Sequence, residues 1–229
     1  GLSGNLHETW PDIRDSAWIG GKREGWERVP YWLDGFIPLS YLLEDDEMIA
    51  TVKKYIDAIV SAQQDDGWIC PCNKEKRKKY DTWAIQLICK TLKVYYDCSG
   101  DERIPEVIYR VLKNYYESLK SGEIKLFGWG KFRWFESFIS INFLYEKYNE
   151  DWIKDLAKII KEQGFDYNAT VENWKKPSHK WQMNTHIVNI AMMLKSEAVS
   201  HEILGEEYTD NAEKLRTILD KYNGTVFEG

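Results

Sequence analysis

The chain has 229 residues, 43 % hydrophobic and 30 % charged, a balance that fits one globular domain. Its net charge of −6 speaks against nucleic acid as a partner, because phosphate binding needs a basic face. No run approaches the ~20 apolar residues of a membrane-spanning helix. No signal peptide is visible, and only four cysteines are present (Cys70, Cys72, Cys89, Cys98), so a reducing, cytoplasmic setting is expected.

After an N-terminal segment, 1–30, the predicted elements repeat about every 50 residues: an apolar helix, a short acidic turn, an amphipathic helix, then a glycine. The first apolar helix covers 31–43 and ends in Glu44-Asp45-Asp46-Glu47, acidic residues suited to a helix start. Ile49, Val52, Ile56, Ile59 and Val60 then form one stripe, stopped at Gly67. A loop over 68–81 carries a basic run, Lys74 to Lys79, read as a solvated segment. The second pair places an apolar helix at 82–96, a turn at Asp101-Glu102 and a stripe from Ile104 to Tyr115, stopped at Gly122. The third has a helix at 132–145, a turn at Glu150-Asp151, a stripe Ile153, Leu156, Ile159, Ile160 and a stop at Gly164. The fourth runs from an apolar helix at 185–204 through Glu206-Glu207 to Ala212, Leu215, Ile218, Leu219 and Tyr222, with a stop at Gly224.

A helix apolar on most sides is buried on both faces, whereas one with a single stripe lies outside. The first helix of each pair therefore belongs to an inner ring and the second to an outer ring. The expected fold is all-α, an α/α toroid of helical hairpins. Turns from inner to outer helices are short, while the returning loops, 68–81, 123–131 and 165–184, are long, which marks a functional face. Ten of the eleven tryptophans fall on that side: Trp10, Trp18, Trp26, Trp68, Trp129, Trp174 and Trp181 in loops, Trp32, Trp83 and Trp134 at inner-helix starts. This skew predicts an aromatic-lined mouth for sugar. The alternative is that long loops use large side chains as pins.

The stretch Glu24-Gly-Trp-Glu-Arg-Val-Pro-Tyr-Trp-Leu-Asp-Gly-Phe-Ile-Pro-Leu-Ser-Tyr-Leu-Leu43 resembles the β-L-arabinofuranosidase-like glycosidases, glycoside hydrolase family 127 and its relatives. The similarity continues through Ala62-Gln-Gln-Asp-Asp-Gly-Trp68, Gly100-Asp-Glu102, Arg133-Trp134, Asn142-Phe-Leu-Tyr145, Gln163-Gly164 and His186-Ile-Val-Asn-Ile-Ala191. The resemblance implies an (α/α)6 barrel that cleaves L-arabinofuranosyl or related sugars with retention. It also implies a cysteine thiolate nucleophile held at zinc by cysteines and a glutamate, with a second glutamate as general acid. In the family those groups follow the eighth helix. With about four of six hairpins present, residues 1–229 are expected to be a single domain forming the N-terminal two-thirds of such a barrel. Its catalytic groups, and any zinc, would then lie beyond the C-terminus.

Within this chain the expected site residues are sugar contacts. His186 matches a pocket histidine of relatives, and Trp32 and Asp34 match a tryptophan–acid pair opening the first inner helix. Arg133, Trp134 and Glu136 occupy the stretch where relatives carry a second histidine, so a different sugar is open. Glu27 and Trp68 complete the substrate-binding set, with Asp81 a helix cap. His7 and His179 are weaker loop candidates. Cys70-Pro-Cys72 lacks a second close pair, so no metal is expected in this segment. The expected partner is a carbohydrate, and the oligomeric state is left open. Two other classes compete: a non-catalytic carbohydrate-binding or scaffold protein, and a terpenoid-cyclase-like toroid suggested by Gln63-Gln64-Asp65-Asp66-Gly67-Trp68.

Overall fold

A computed structural model describes residues 5–176 and 182–223, so His179, Trp181 and Gly224 lie outside the described residues. Among the described residues there is no strand, only an isolated bridge between Ser16 and Arg23. The all-α class is therefore shown, and the chain divides into two compact units, Gly1–Lys125 and Leu126–Gly229.

Unit 1 opens with two single-turn helices, α1 (Leu6–Thr9) and α2 (Pro11–Arg14). Two hairpins follow: α3 (Arg28–Leu42) with α4 (Asp46–Ser61), and α5 (Trp83–Ser99) with α6 (Ile104–Lys120). Helix α5 packs against both α3 and α6 and is buried almost all round from Thr82 to Leu92, as expected of an inner helix. Helix α6 buries one stripe, Ile104, Val107, Ile108, Val111, Leu112, Tyr115 and Leu119, at the spacing of a single face. Asp45 caps α4 by accepting from the Met48 amide at 3.0 Å, the role its acidic turn predicts.

Unit 2 comprises α7 (Gly128–Phe132), α8 (Ser137–Tyr148), α9 (Asp151–Gln163), α10 (Val171–Trp174), α11 (Ile187–Met193), α12 (Ser196–Leu204) and α13 (Asn211–Asn223). The inner helix expected at 132–145 starts later, because Trp134–Glu136 forms a 3₁₀ turn ahead of α8. The one expected at 185–204 is broken at Leu194–Lys195 into α11 and α12. Helix α12 then packs on both α8 and α9.

Of the expected glycine stops, Gly122 follows α6 with a left-handed φ of +73°, as expected, while Gly67 and Gly164 differ. Left-handed caps end α5 at Gly100, α8 at Asn149 and α12 at Gly205, which are the first helices of their pairs. Gly164 has φ −65° and serves another purpose: a Cβ there would overlap the Trp134 ring. Gly67, at φ +92°, shapes the loop after α4 where it meets the Arg110 backbone.

Candidate functional site

In unit 1 the expected residues gather where α3 begins. Glu27, at the N-terminus of α3, accepts a hydrogen bond from Trp83 Nε1 at 3.0 Å, joining the starts of α3 and α5. Two turns further on, Asp34 is paired with Lys90 of α5 at 2.9 Å. Trp32 is 8 % exposed, its ring stacked on Phe36 (4.7 Å between centroids), edge-on to Tyr55 and faced by His7 at 5.7 Å. Burial pushes the Tyr55 hydroxyl up to about 12, and it donates to the Ile13 carbonyl, tying α4 to α2.

Trp68 is 2 % exposed and does not present a face to solvent. Its indole donates to the Cys70 carbonyl at 2.7 Å, and the Arg77 guanidinium lies over its ring at 4.5 Å. Arg77 in turn donates to Asp66 and Gln64 at 2.6 and 2.5 Å. That ion pair holds the Asp66 carboxyl below the usual carboxylate range. Gln63 reaches the carbonyls of Gly67 and Val107 at 3.1 Å, and Arg110 ties the loop from the other side. The Gln63–Trp68 motif is thus a loop knot, in which a large aromatic pins a long connection.

Unit 2 brings two of its four expected residues, Arg133 and His186, into one network. Arg133 is buried, donates through Nε to Asn189 Oδ1 at 2.8 Å, and carries the Trp129 ring 4.3 Å from its guanidinium carbon. His186, at the N-terminus of α11, meets the same Trp129 ring edge-on at 5.4 Å. Asn189 is oriented in turn by its own Nδ2, which donates to the Met183 carbonyl at 2.9 Å. Glu136, wholly buried, forms an ion pair with Lys195 at the break between α11 and α12. Trp134 stands apart from this network, donating to the Phe165 carbonyl at 3.2 Å and resting against Gly164.

Asn189 and Lys195 escaped the sequence reading as site residues, and Trp129 was singled out only as one of the ten tryptophans of the expected mouth. A signal existed for Asn189, which follows His186 by three residues and so lies on the same side of one helical turn. Nothing in the spacing marks Lys195, because its partner Glu136 is 59 positions away.

A cleft of about 890 Å³ also lies in unit 2, lined by Trp134, Lys161, Glu197, Glu206, Asn211 and Leu215 among others. Of the expected sugar contacts only Trp134 reaches it. Two of its carboxylates serve the fold: Glu197 accepts from the amides of Thr209 and Asn211, and Glu206 pairs with Lys161.

The resemblance implies zinc in a complete domain, and the cysteines here do not fit it. Among the described residues no group of three or more His, Cys, Asp or Glu could hold a metal ion. All four cysteines are free, and burial pushes the Cys70 and Cys89 thiols up. No described helix is long and apolar enough to cross a membrane.

The described residues form an all-α arrangement of helical hairpins, the class of fold in which the chain is placed. The family profile for the β-L-arabinofuranosidase, GH127 catalytic domain, matches residues 17–221, and the chain belongs to that family. Its catalytic domain is of the α/α-toroid type, in keeping with the helical hairpins seen here. Neither the curated proteins nor the solved structures yield a match.

Proposed function

We propose that this chain contributes the sugar-contacting part of a glycoside hydrolase, with an L-arabinofuranosyl or related residue held at the Trp129–Arg133–His186 network of unit 2. The family match supports the hydrolase class. The observation that carries the site is the convergence of Arg133, Trp129 and His186, residues from two segments of chain, on one locked arrangement. A half-buried indole offers a face for a sugar ring, and an imidazole beside it offers a hydrogen-bonding nitrogen to a hydroxyl. Asn189 positions this group through Arg133 Nε.

The role assigned to these residues is orientation of the sugar. Asp34 and Glu136 are ion-paired to lysines and Glu27 accepts from an indole, so each serves as an anchor. That same observation favours a second reading, sugar binding without hydrolysis.

Titration of the chain with methyl β-L-arabinofuranoside, followed by calorimetry, tests the site. His186→Ala and Asn189→Ala are expected to weaken binding about tenfold or more, the loss of one to two polar contacts, with an unchanged circular dichroism spectrum. Equal affinity in both variants would remove the network from the sugar site. Release of free arabinose from the same glycoside separates hydrolysis from binding alone.

A further inference from the structure

The 3₁₀ turn Lys74–Lys79 (Lys-Glu-Lys-Arg-Lys-Lys) concentrates five basic residues and one acidic residue in a chain of net charge −6. Its single arginine is turned inward: Arg77 is 5 % exposed, stacked on Trp68 and bound to Asp66 and Gln64. That anchor fixes the turn, while Lys74, Lys76, Lys78 and Lys79 stand exposed. Among the described residues, none of these four lysines enters an ion pair, whereas Lys90, Lys161 and Lys195 each hold a carboxylate.

Three residues per turn eclipse positions three apart. Lys74 therefore shares its side with Arg77, in keeping with its electrostatic pull on Asp66. Glu75 shares a side with Lys78. Lys76 and Lys79 are left aligned on the third edge, about 6 Å apart along the axis. The turn also abuts the start of α3: Tyr80 donates to the Gly25 carbonyl at 3.1 Å and Trp26 to the Asp81 carbonyl at 3.1 Å, beside the Glu27–Trp83 bond.

We propose that this turn is a docking surface for an anionic polysaccharide, a uronate-bearing glycan, with Lys76 and Lys79 as its principal contacts. This rests on the glycosidase reading above and adds to it a glycan ligand of unit 1, gripped at the turn. The Arg77 anchor holds the backbone that carries Lys76 and Lys79, so their ammonium groups are presented side by side to carboxylates repeated along a chain. The narrowness of the row suits a single polysaccharide strand. The acidic remainder of the surface opposes the broad footprint of a nucleic acid duplex. The turn has no apolar side chain to enter a lipid layer, which an interfacial anchor needs.

The test measures binding of the chain to polygalacturonate by affinity electrophoresis at low and high salt. The wild type is expected to be retarded at low salt and released at high salt, as screening requires. Lys76→Gln/Lys79→Gln is expected to lose about tenfold or more in affinity, since each lysine at an anionic surface is worth about fivefold. Lys53→Gln/Lys54→Gln removes the same charge from the exposed side of α4 and is expected to bind as the wild type does. Both pairs are exposed, and thermal melts confirm equal folding.

Absence of retardation, equal binding by the Lys76/Lys79 pair variant, or an equal loss in the Lys53/Lys54 control would each overturn the proposal. Tighter binding to single-stranded DNA or phosphatidylserine vesicles than to polygalacturonate would also overturn it, in favour of another polyanion. The neutral methyl arabinofuranoside titration, run on the same variants, reports on the sugar site separately. Its failure would count against the glycosidase reading whatever the turn does.

Discussion

Each unit buries an arginine against a tryptophan, Arg77 on Trp68 in unit 1 and Arg133 on Trp129 in unit 2, and in both the guanidinium is directed by side-chain acceptors. A planar guanidinium lies flat on the ring while its fork donates to two side-chain acceptors, a geometry a lysine ammonium cannot reproduce, so Arg77→Lys is expected to behave nearly as poorly as Arg77→Ala. The Asp66 carboxyl provides the pH dependence. Its folded pKa is depressed by Arg77, so its contribution to stability is present above the unfolded value, near 3.8, and is lost as pH falls through the folded value. The melting-temperature gap between the wild type and Asp66→Asn should be widest near neutrality and close below about pH 3.8. A gap that stayed constant into acid would mean that Arg77 does not act through this carboxylate. The aspartate was legible in the Gln63–Trp68 motif, but its partner was not, because Arg77 looked like one more cation in a basic run.

At the scale of elements, three hairpin turns face the same demand for a left-handed residue and meet it differently. Gly100 follows α5, Asn149 follows α8 with φ 50°, and Glu44 follows α3 with φ 51°. Glycine adopts this conformation without strain and asparagine with little, whereas a glutamate meets the Cβ–carbonyl clash. Glu44→Gly is therefore expected to stabilise the chain by about 1 kcal/mol, read from urea denaturation. No gain would show that the exposed Glu44 side chain offsets its own strain. The acidic turns were readable as helix starts because capping is local, as Asp45 shows. The break at Leu194–Lys195 was not readable, because the apolar pattern runs through it. The burial of Glu136 beside Lys195, which accompanies the break, is a contact between distant segments.

Across the whole molecule, burial is uneven. Ten residues of α5 are buried, and α6 buries nine, while α13 buries only Leu215. At the start of α11, Ile187 is 56 % exposed, and Val188 beside it is exposed as well. Local opening is governed by buried apolar contact, so hydrogen exchange should be slowest in α5 and α6 and fastest in α13 and the first turn of α11. Protection of α13 equal to that of α5 would contradict this distribution.

The sequence by itself determined the helical class, the pairing of apolar with striped helices and the family, because hydrophobic periodicity, capping and long motifs are properties of neighbouring residues. It also located His186 and Arg133 within a few positions of the network they join. The tertiary structure alone decided which tryptophans are buried pins and which, Trp10, Trp26 and Trp129, stay half-exposed. It decided too that Asp34 and Glu136 are neutralised by Lys90 and Lys195, and that Arg77 turns in while Lys76 and Lys79 line up outside. The physical reason is the same in each case: a side chain's role depends on the partner that reaches it, and most of these partners lie more than 50 residues away along the chain.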